Sequence, residues 1–287
     1  MKNIPVRQIQ KSRKEPDLSG NFSIRDLATI LDGQDLVQDI HRHDFFYLLI
    51  VKTGKGSHEI DFKSYNVFDG SIFFMRPGQV HKISLDKESN GYLLQFENAF
   101  YYPFDNDRKK TLFRASIKNH CHLENDNFEK LYRLVQQIYN ESSEKQEGFI
   151  EVIKANLGIF LIEFIRNKRS TSTTLNIENT YAQERLEELL ELIGTHIYKI
   201  KQVSEYAKML NVSGYQLNSI TKQTLGKTCS EIINENIILE SKRNILATSN
   251  QINQIAFDLG YEDISYFIRF FKKHTGYTPE AFRQKFK

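Results

Sequence analysis

The sequence predicts an α+β fold in two domains: a small β-barrel or sandwich with two helices behind it, then an all-α domain built on two helix-turn-helix units. Three observations carry this reading. Evenly spaced apolar runs occupy residues 40 to 100, helical spacing takes over after residue 127, and the last third contains a faint internal duplication. A chain of 287 residues exceeds one typical domain and accommodates two.

The strands come first. Phe45–Val51 is followed by Thr53-Gly54-Lys55-Gly56. His58–Phe62, Val67-Phe68 before Asp69-Gly70, Ile72–Met75 before Pro77-Gly78, and Gly91–Phe96 continue the pattern. Runs this short and regular suit a sandwich or small barrel. In residues 127–140, Phe128, Leu131, Tyr132, Val135 and Ile138 form one helical stripe. In residues 147–167, Ile150, Ile153, Leu157, Phe160, Leu161 and Phe164 form a second. That second helix is also apolar at Phe149, Val152, Ile159, Ile162 and Ile165, so it needs cover on two sides. One cover is the domain's own sheet. The other is a second subunit, with Leu161 facing it, or further packing inside the same subunit. The polar run Ser170-Thr171-Ser172-Thr173-Thr174 lacks periodicity. It places a linker over 169–180, between a first domain of 1–168 and a second of 181–287.

Composition excludes several classes. No apolar run approaches the roughly 18 residues of a membrane span, and Met1-Lys2-Asn3-Ile4-Pro5 lacks the apolar core of a signal peptide, so a cytoplasmic protein is expected. Cys121 and Cys229 lie far apart and read as free thiols, not a disulfide framework or zinc ligands. The net charge of +3 is unremarkable, but its distribution is not. From Ile264 onward Arg269, Lys272, Lys273, Arg283, Lys285 and Lys287 face a single anion, Glu280. Such a cluster fits either a phosphate-binding face or a solvated basic tail.

The duplication pairs Ala207 and Leu210 with Ala256 and Leu259 at an offset of 49, then Leu217, Lys222, Gly226 and Thr228 with Phe267, Lys272, Gly276 and Thr278 at 50. The one-residue change falls between two helices, where a turn absorbs it. Each copy reads helix, turn, helix, glycine stop, and the small alanines permit the close helix crossing of a helix-turn-helix. Ser213 with Gln216 and Thr228 with Glu231 form capping boxes, Asn250 and Asp263 serve as N-caps, and Thr278 precedes Pro279 at a first helical position. The joining segment Thr228–Ala247 has helical spacing and, as one helix, spans roughly 30 Å. Successive major grooves on one DNA face are roughly 34 Å apart.

The segment Ile252-Asn253-Gln254-Ile255-Ala256-Phe257-Asp258-Leu259-Gly260-Tyr261-Glu262-Asp263, with Ser265-Tyr266-Phe267, Arg269-Phe270-Phe271-Lys272-Lys273, Thr275-Gly276-Tyr277-Thr278-Pro279 and Phe282-Arg283, resembles the signature of the AraC/XylS family of transcription regulators. Val203–Gly226 resembles the family's more variable first unit. The resemblance implies binding to promoter DNA, usually as an activator contacting RNA polymerase. By position, Ser213, Tyr215, Gln216, Asn218 and Ser219 face DNA from the first unit, and Ser265, Tyr266, Ile268 and Arg269 from the second. Arginine bonds guanine, amides pair with adenine, and apolar groups touch thymine methyls. Lys222, Lys272, Lys273 and Arg283 are assigned to phosphates, and Leu217, Phe267, Phe270 and Phe271 to the core. Ser219 stands where the family often has arginine, and Thr221 where it usually has phenylalanine.

His41-Arg42-His43-Asp44-Phe45-Phe46-Tyr47, Gly54-Lys55-Gly56, Ile60-Asp61-Phe62 and Arg76-Pro77-Gly78-Gln79-Val80-His81 resemble the cupin-like effector domain attached to many members of that family. The resemblance implies a double-stranded β-barrel with two helices after it, used for ligand sensing and dimerisation. His-x-His on a strand puts both rings on one face, and a third histidine from a neighbouring strand invites a metal reading. Cupin metal sites add a glutamate after the His-x-His, whereas Tyr47, Leu48 and Leu49 stand there. His41, His43 and His81 are therefore assigned to effector contact, with no metal or cofactor expected. The chain is read as a dimeric, effector-responsive regulator, not an enzyme. A constitutive regulator whose barrel only dimerises, and a metal-dependent enzyme fused to a DNA-binding module, are the alternatives.

Overall fold

The computed structural model describes residues 5–7, 9, 21–101, 106–123, 125–170 and 177–286. These fall into two compact units, one ending with the helix Phe149–Ser170 and the other beginning with the helix Ile177–His196. Both helices run into the range read as linker. Residues 171–176 of that range lie outside the described residues.

The first unit runs β1 (Val6–Arg7), β2 (Phe22–Asp26), α1 (Leu27–Leu31), β3 (Leu36–His43), β4 (Phe46–Thr53), β5 (Gly56–Ile60), β6 (Lys63–Val67), β7 (Ser71–Met75), β8 (Val80–Leu85), β9 (Asn90–Phe96), α2 (Asn98–Tyr101), α3 (Asn106–Ser116), β10 (His120–His122), α4 (Asn125–Glu144) and α5 (Phe149–Ser170). The strands make two five-stranded sheets, ordered β1-β3-β8-β5-β6 and β10-β7-β4-β9-β2. The run at 58–62 is shorter as a strand than its composition suggests. Asp61 and Phe62 both take positive φ and close the β5–β6 hairpin.

β4 shows why the chain reads as unbroken apolar residues there. Tyr47, Leu49 and Val51 point between the sheets with Phe73, Met75, Ile83 and Leu85. Phe46, Leu48 and Ile50 point the other way, into a cluster with Phe128, Leu131, Leu157, Phe160 and Phe164 of α4 and α5. A strand covered on both faces loses its polar alternation. Leu161 belongs to this inner cluster and is fully buried, which corrects its assignment to a partner-facing surface. The next face of α5 carries Ile159 and Ile162 at 49% and 46% exposure, with Ala155 exposed and Val152 half-buried on the same stripe.

The second unit consists of α6 (Ile177–His196), α7 (Val203–Met209), α8 (Gly214–Leu225), α9 (Cys229–Ala247), α10 (Ile252–Asp258), α11 (Ile264–Thr275) and α12 (Pro279–Phe286). α9 touches α6, α7, α8, α10, α11 and α12. It buries Ile232, Ile233, Ile237, Ile238, Ile245 and Leu246, so a helix clasped from several sides shows little amphipathicity. Thr228 caps it in a capping box with Glu231. Cys229 is buried and Cys121 half-buried. Among the described residues, no helix is long and apolar enough to cross a membrane.

Candidate functional site

The two helix pairs of the second unit are built alike. α7 and α10 have 7 residues each, and α8 and α11 have 12 each. Ser213 and Asp263 cap α8 and α11 at equivalent places, accepting from the backbone N–H of Gln216 and Tyr266. Gly226 and Gly276 end both helices in the left-handed conformation. The turns differ by the expected residue. Asn211 makes the first in the left-handed region, and Gly260 makes the second, where a Cβ would meet the Tyr198 carbonyl oxygen at 2.1 Å. The N-cap of α10 is Gln251, without a side-chain cap, and not Asn250.

Inner faces differ in a compensating way. Leu217 and Phe267 are equivalent and fully buried. Thr221 takes the place of Phe271, and it too is fully buried, its hydroxyl donating to the Asn218 carbonyl at 3.1 Å. Phe271 meets Phe282 at 5.5 Å between ring centroids, while at Phe282's equivalent place the first unit has buried Ile232. Phe270 is only half-buried, flanked by Tyr266 and His274, because it lies beside the outer face of α11.

The outer faces match in spacing. α8 exposes Tyr215, Gln216, Ser219 and Lys222, and α11 exposes Ser265, Tyr266, Arg269 and Lys272, joined by Lys273. Ile268 is half-buried. Tyr215 is 86% exposed, an unusual state for a tyrosine with no partner surface. Lys272 and Lys273 occupy the last turn of α11, where the helix dipole favours cations. Arg269 lies 3.9 Å from Asp263 with both side chains well exposed, a pair worth little in water. Ser213 and Gln216 serve the capping box, which occupies one oxygen of each.

Two residues read as DNA contacts are otherwise engaged. Arg283 is buried, donating through Nε to the Ile245 carbonyl at 3.1 Å and through Nη2 to the Asn250 carbonyl at 2.7 Å. It ties α12 to the end of α9 and is removed from the phosphate contacts. Asn218 donates through Nδ2 to the Gly214 carbonyl at 3.1 Å and accepts from the Cys229 backbone N–H at 2.9 Å. It joins α8 to the start of α9 and is removed from base readout.

In the barrel, β3 turns His41 and His43 inward, and β8 sets His81 opposite His41 across the ladder. His58 of β5, on the same face as Ile60, joins them; alternation along 56–60 was the signal that could have found it. All four are buried. His43 Nε2 and His81 Nε2 are 2.7 Å apart, and His58 Nε2 lies 2.8 Å from His81 Nδ1. Burial, first of all, pushes His41 down to about 4, His43 and His58 to about 3, and His81 well below the usual histidine range. The four imidazoles are therefore neutral at neutral pH.

Comparison with known proteins agrees with both units. The family described as "AraC-like ligand binding domain" matches residues 30–101, and that described as "Helix-turn-helix domain" matches 206–285. The HTH-type transcriptional activator RhaR of Escherichia coli (strain K12) is 23% identical over 276 residues, 93% of this chain and 95% of that protein. RhaR of Mannheimia succiniciproducens is 22% identical, covering 86% of this chain and 87% of that protein. Among solved structures, ToxT of Vibrio cholerae with a bound unsaturated fatty acid is 16% identical, with TM-score 0.42, over 95% of this chain and 97% of that one. An AraC-type DNA-binding domain regulator of Chromobacterium violaceum is 25% identical, with TM-score 0.34, over 37% of this chain and 95% of that one. With a ligand-binding domain of this type ahead of two helix-turn-helix units, the chain belongs to the AraC family of transcription regulators.

Proposed function

We propose that this chain is a sequence-specific DNA-binding transcription regulator, acting in the cytoplasm, that sets α8 and α11 into successive major grooves. The observation that carries this is the matched outer faces of two equal helices, polar at the same spacing. Tyr215, Gln216 and Ser219 from α8, and Ser265, Tyr266, Ile268 and Arg269 from α11, meet base edges, with Ser213 at the start of α8. Lys222, Lys272 and Lys273 meet phosphates. The domain boundaries proposed are a barrel unit closed by α4 and α5 and a DNA-binding unit of α6 to α12. Its relatives named as activators support activation at a promoter through contact with RNA polymerase.

The barrel takes a small-molecule effector, with His41, His43 and His81 lining its polar interior. The exposed stripe of Ile159 and Ile162 on α5 supports a homodimer, because a helix of an isolated subunit gains nothing by exposing two large aliphatics. Mapping chromosomal occupancy alongside transcript changes in a deletion strain tests the reading. Discrete promoter sites, with reduced transcription of adjoining genes on deletion, are expected. Absence of discrete sites contradicts it.

A further inference from the structure

We propose that the barrel binds one divalent first-row transition-metal ion through ring nitrogens of His41, His43 and His81, with His58 as a positioning residue and a coordination position left open. This rests on the reading of the barrel as a ligand site and names the ligand's class. One ring nitrogen from each of the three lies within 4.8 Å of the others. Ligand nitrogens about 2.1 Å from a shared ion stand at most about 4.2 Å apart, so closure needs only small side-chain shifts.

The tautomers support the assignment. His41 donates through Nδ1 to the Asp39 carbonyl oxygen at 2.7 Å, which leaves Nε2 as a lone pair. That nitrogen is buried and has no hydrogen-bond partner. Nδ1 of His43 and of His58 are buried without a partner as well, so the network leaves three ring nitrogens unsatisfied, at a cost in stability; at His41 the unsatisfied nitrogen is the lone pair. A ring held by a carbonyl at one nitrogen with the other free is how a metal-bound histidine is oriented. His58 Nε2 can accept from His81 Nδ1–H, which turns the lone pair of His81 Nε2 toward His43 and His41. Metal entry displaces the proton shared between His43 Nε2 and His81 Nε2, and His43 passes to its Nδ1–H tautomer.

All three donors are neutral imidazoles, a set that suits zinc, iron, cobalt, nickel or copper and not magnesium or calcium. None contributes negative charge. Arg7 of β1 lies in register with His43, so the ion and Arg7 together favour an anionic molecule at the open position.

The test is titration of metal-free, untagged full-length chain with Co(II), followed by visible absorption and calorimetry. One ion per chain with a visible d–d band of histidine coordination is expected. His41→Ala should abolish the band, and His122→Ala, at an exposed position, should leave it intact. His58→Phe should weaken affinity about 10- to 100-fold, with His58→Gln restoring most of it by offering an acceptor. Circular dichroism of each variant separates unfolding from lost coordination, and the wild-type titration stands whether or not variants fold. No stoichiometric binding by wild type, or binding lost with His122→Ala but kept in His41→Ala, overturns the proposal. Salt-sensitive DNA binding by the metal-free chain, measured alongside, persists if only the metal assignment fails and is absent if the regulator reading itself fails.

Discussion

Arg283 and Ile245 are joined by a buried hydrogen bond, Nε to carbonyl oxygen, at 3.1 Å. The same guanidinium reaches the Asn250 carbonyl, so one side chain satisfies backbone acceptors at both sides of the turn between α9 and α10. Arg283→Ala should destabilise the helical unit by about 3 kcal/mol, the scale of losing charged hydrogen bonds to buried acceptors. Arg283→Lys should rescue little, because an ammonium lacks the planar fork. Thermal unfolding of the two variants measures this. A lysine variant as stable as wild type contradicts it.

The two DNA-facing helices should contribute unequally. Arg269 and Ser219 are equivalent in the repeat, and α11 adds Lys273 where α8 has Gln223. Arg269→Ala should cost about 1–3 kcal/mol of DNA affinity and relax preference at one base pair. Ser219→Ala should cost much less. Titration against single-base operator variants decides. Equal losses, or a loss at Arg269 uniform over all variants, would count against specific readout there.

On α5, neighbouring residues should behave oppositely. Ile159→Glu with Ile162→Glu should give a folded monomer, since both side chains are about half exposed in the isolated subunit. Leu161→Glu should instead unfold the barrel unit, because it puts a charge in a closed core. Analytical ultracentrifugation with circular dichroism separates the two. Wild type that is already monomeric at micromolar concentration sinks the interface.

Much of this was legible in the sequence, for physical reasons. β4 announced itself because both faces are buried. The helix pairs did so because caps, small crossing residues and glycine stops recur at a fixed offset. β3 and β8 were harder to read, since Gln38, Asp39 and Arg42, or Lys82 and Ser84, interrupt the apolar pattern. α3 buries little beyond Leu112 and Ala115, too few for a stripe. Arg283 in a basic tail reads as a phosphate ligand until the carbonyls facing it are known. Asn218 is an analogous case, its partner being the start of a helix eleven positions on.

Gly260 should resist substitution. Its φ of +74° and the Tyr198 carbonyl oxygen 2.1 Å from a built Cβ leave no room for a side chain. Gly260→Ala should cost more than the roughly 1 kcal/mol of left-handed strain alone, because backbone must also move. Gly226, equally left-handed but with open space around it, should tolerate alanine at about that smaller cost. Chemical denaturation of both variants checks the difference, and equal costs would contradict the close approach.

The most direct test of the central claim is the salt dependence of DNA binding by residues 175–287, which contain both helix pairs and α9. Affinity for a target promoter fragment should fall linearly on a log–log plot against salt. If Lys222, Lys272 and Lys273 each neutralise one phosphate, the slope should be about −2.7, at about −0.9 per contact, and replacing one of them with alanine should make it shallower by about 0.9. A folded fragment that binds no DNA, or binds with affinity indifferent to salt, would contradict the account.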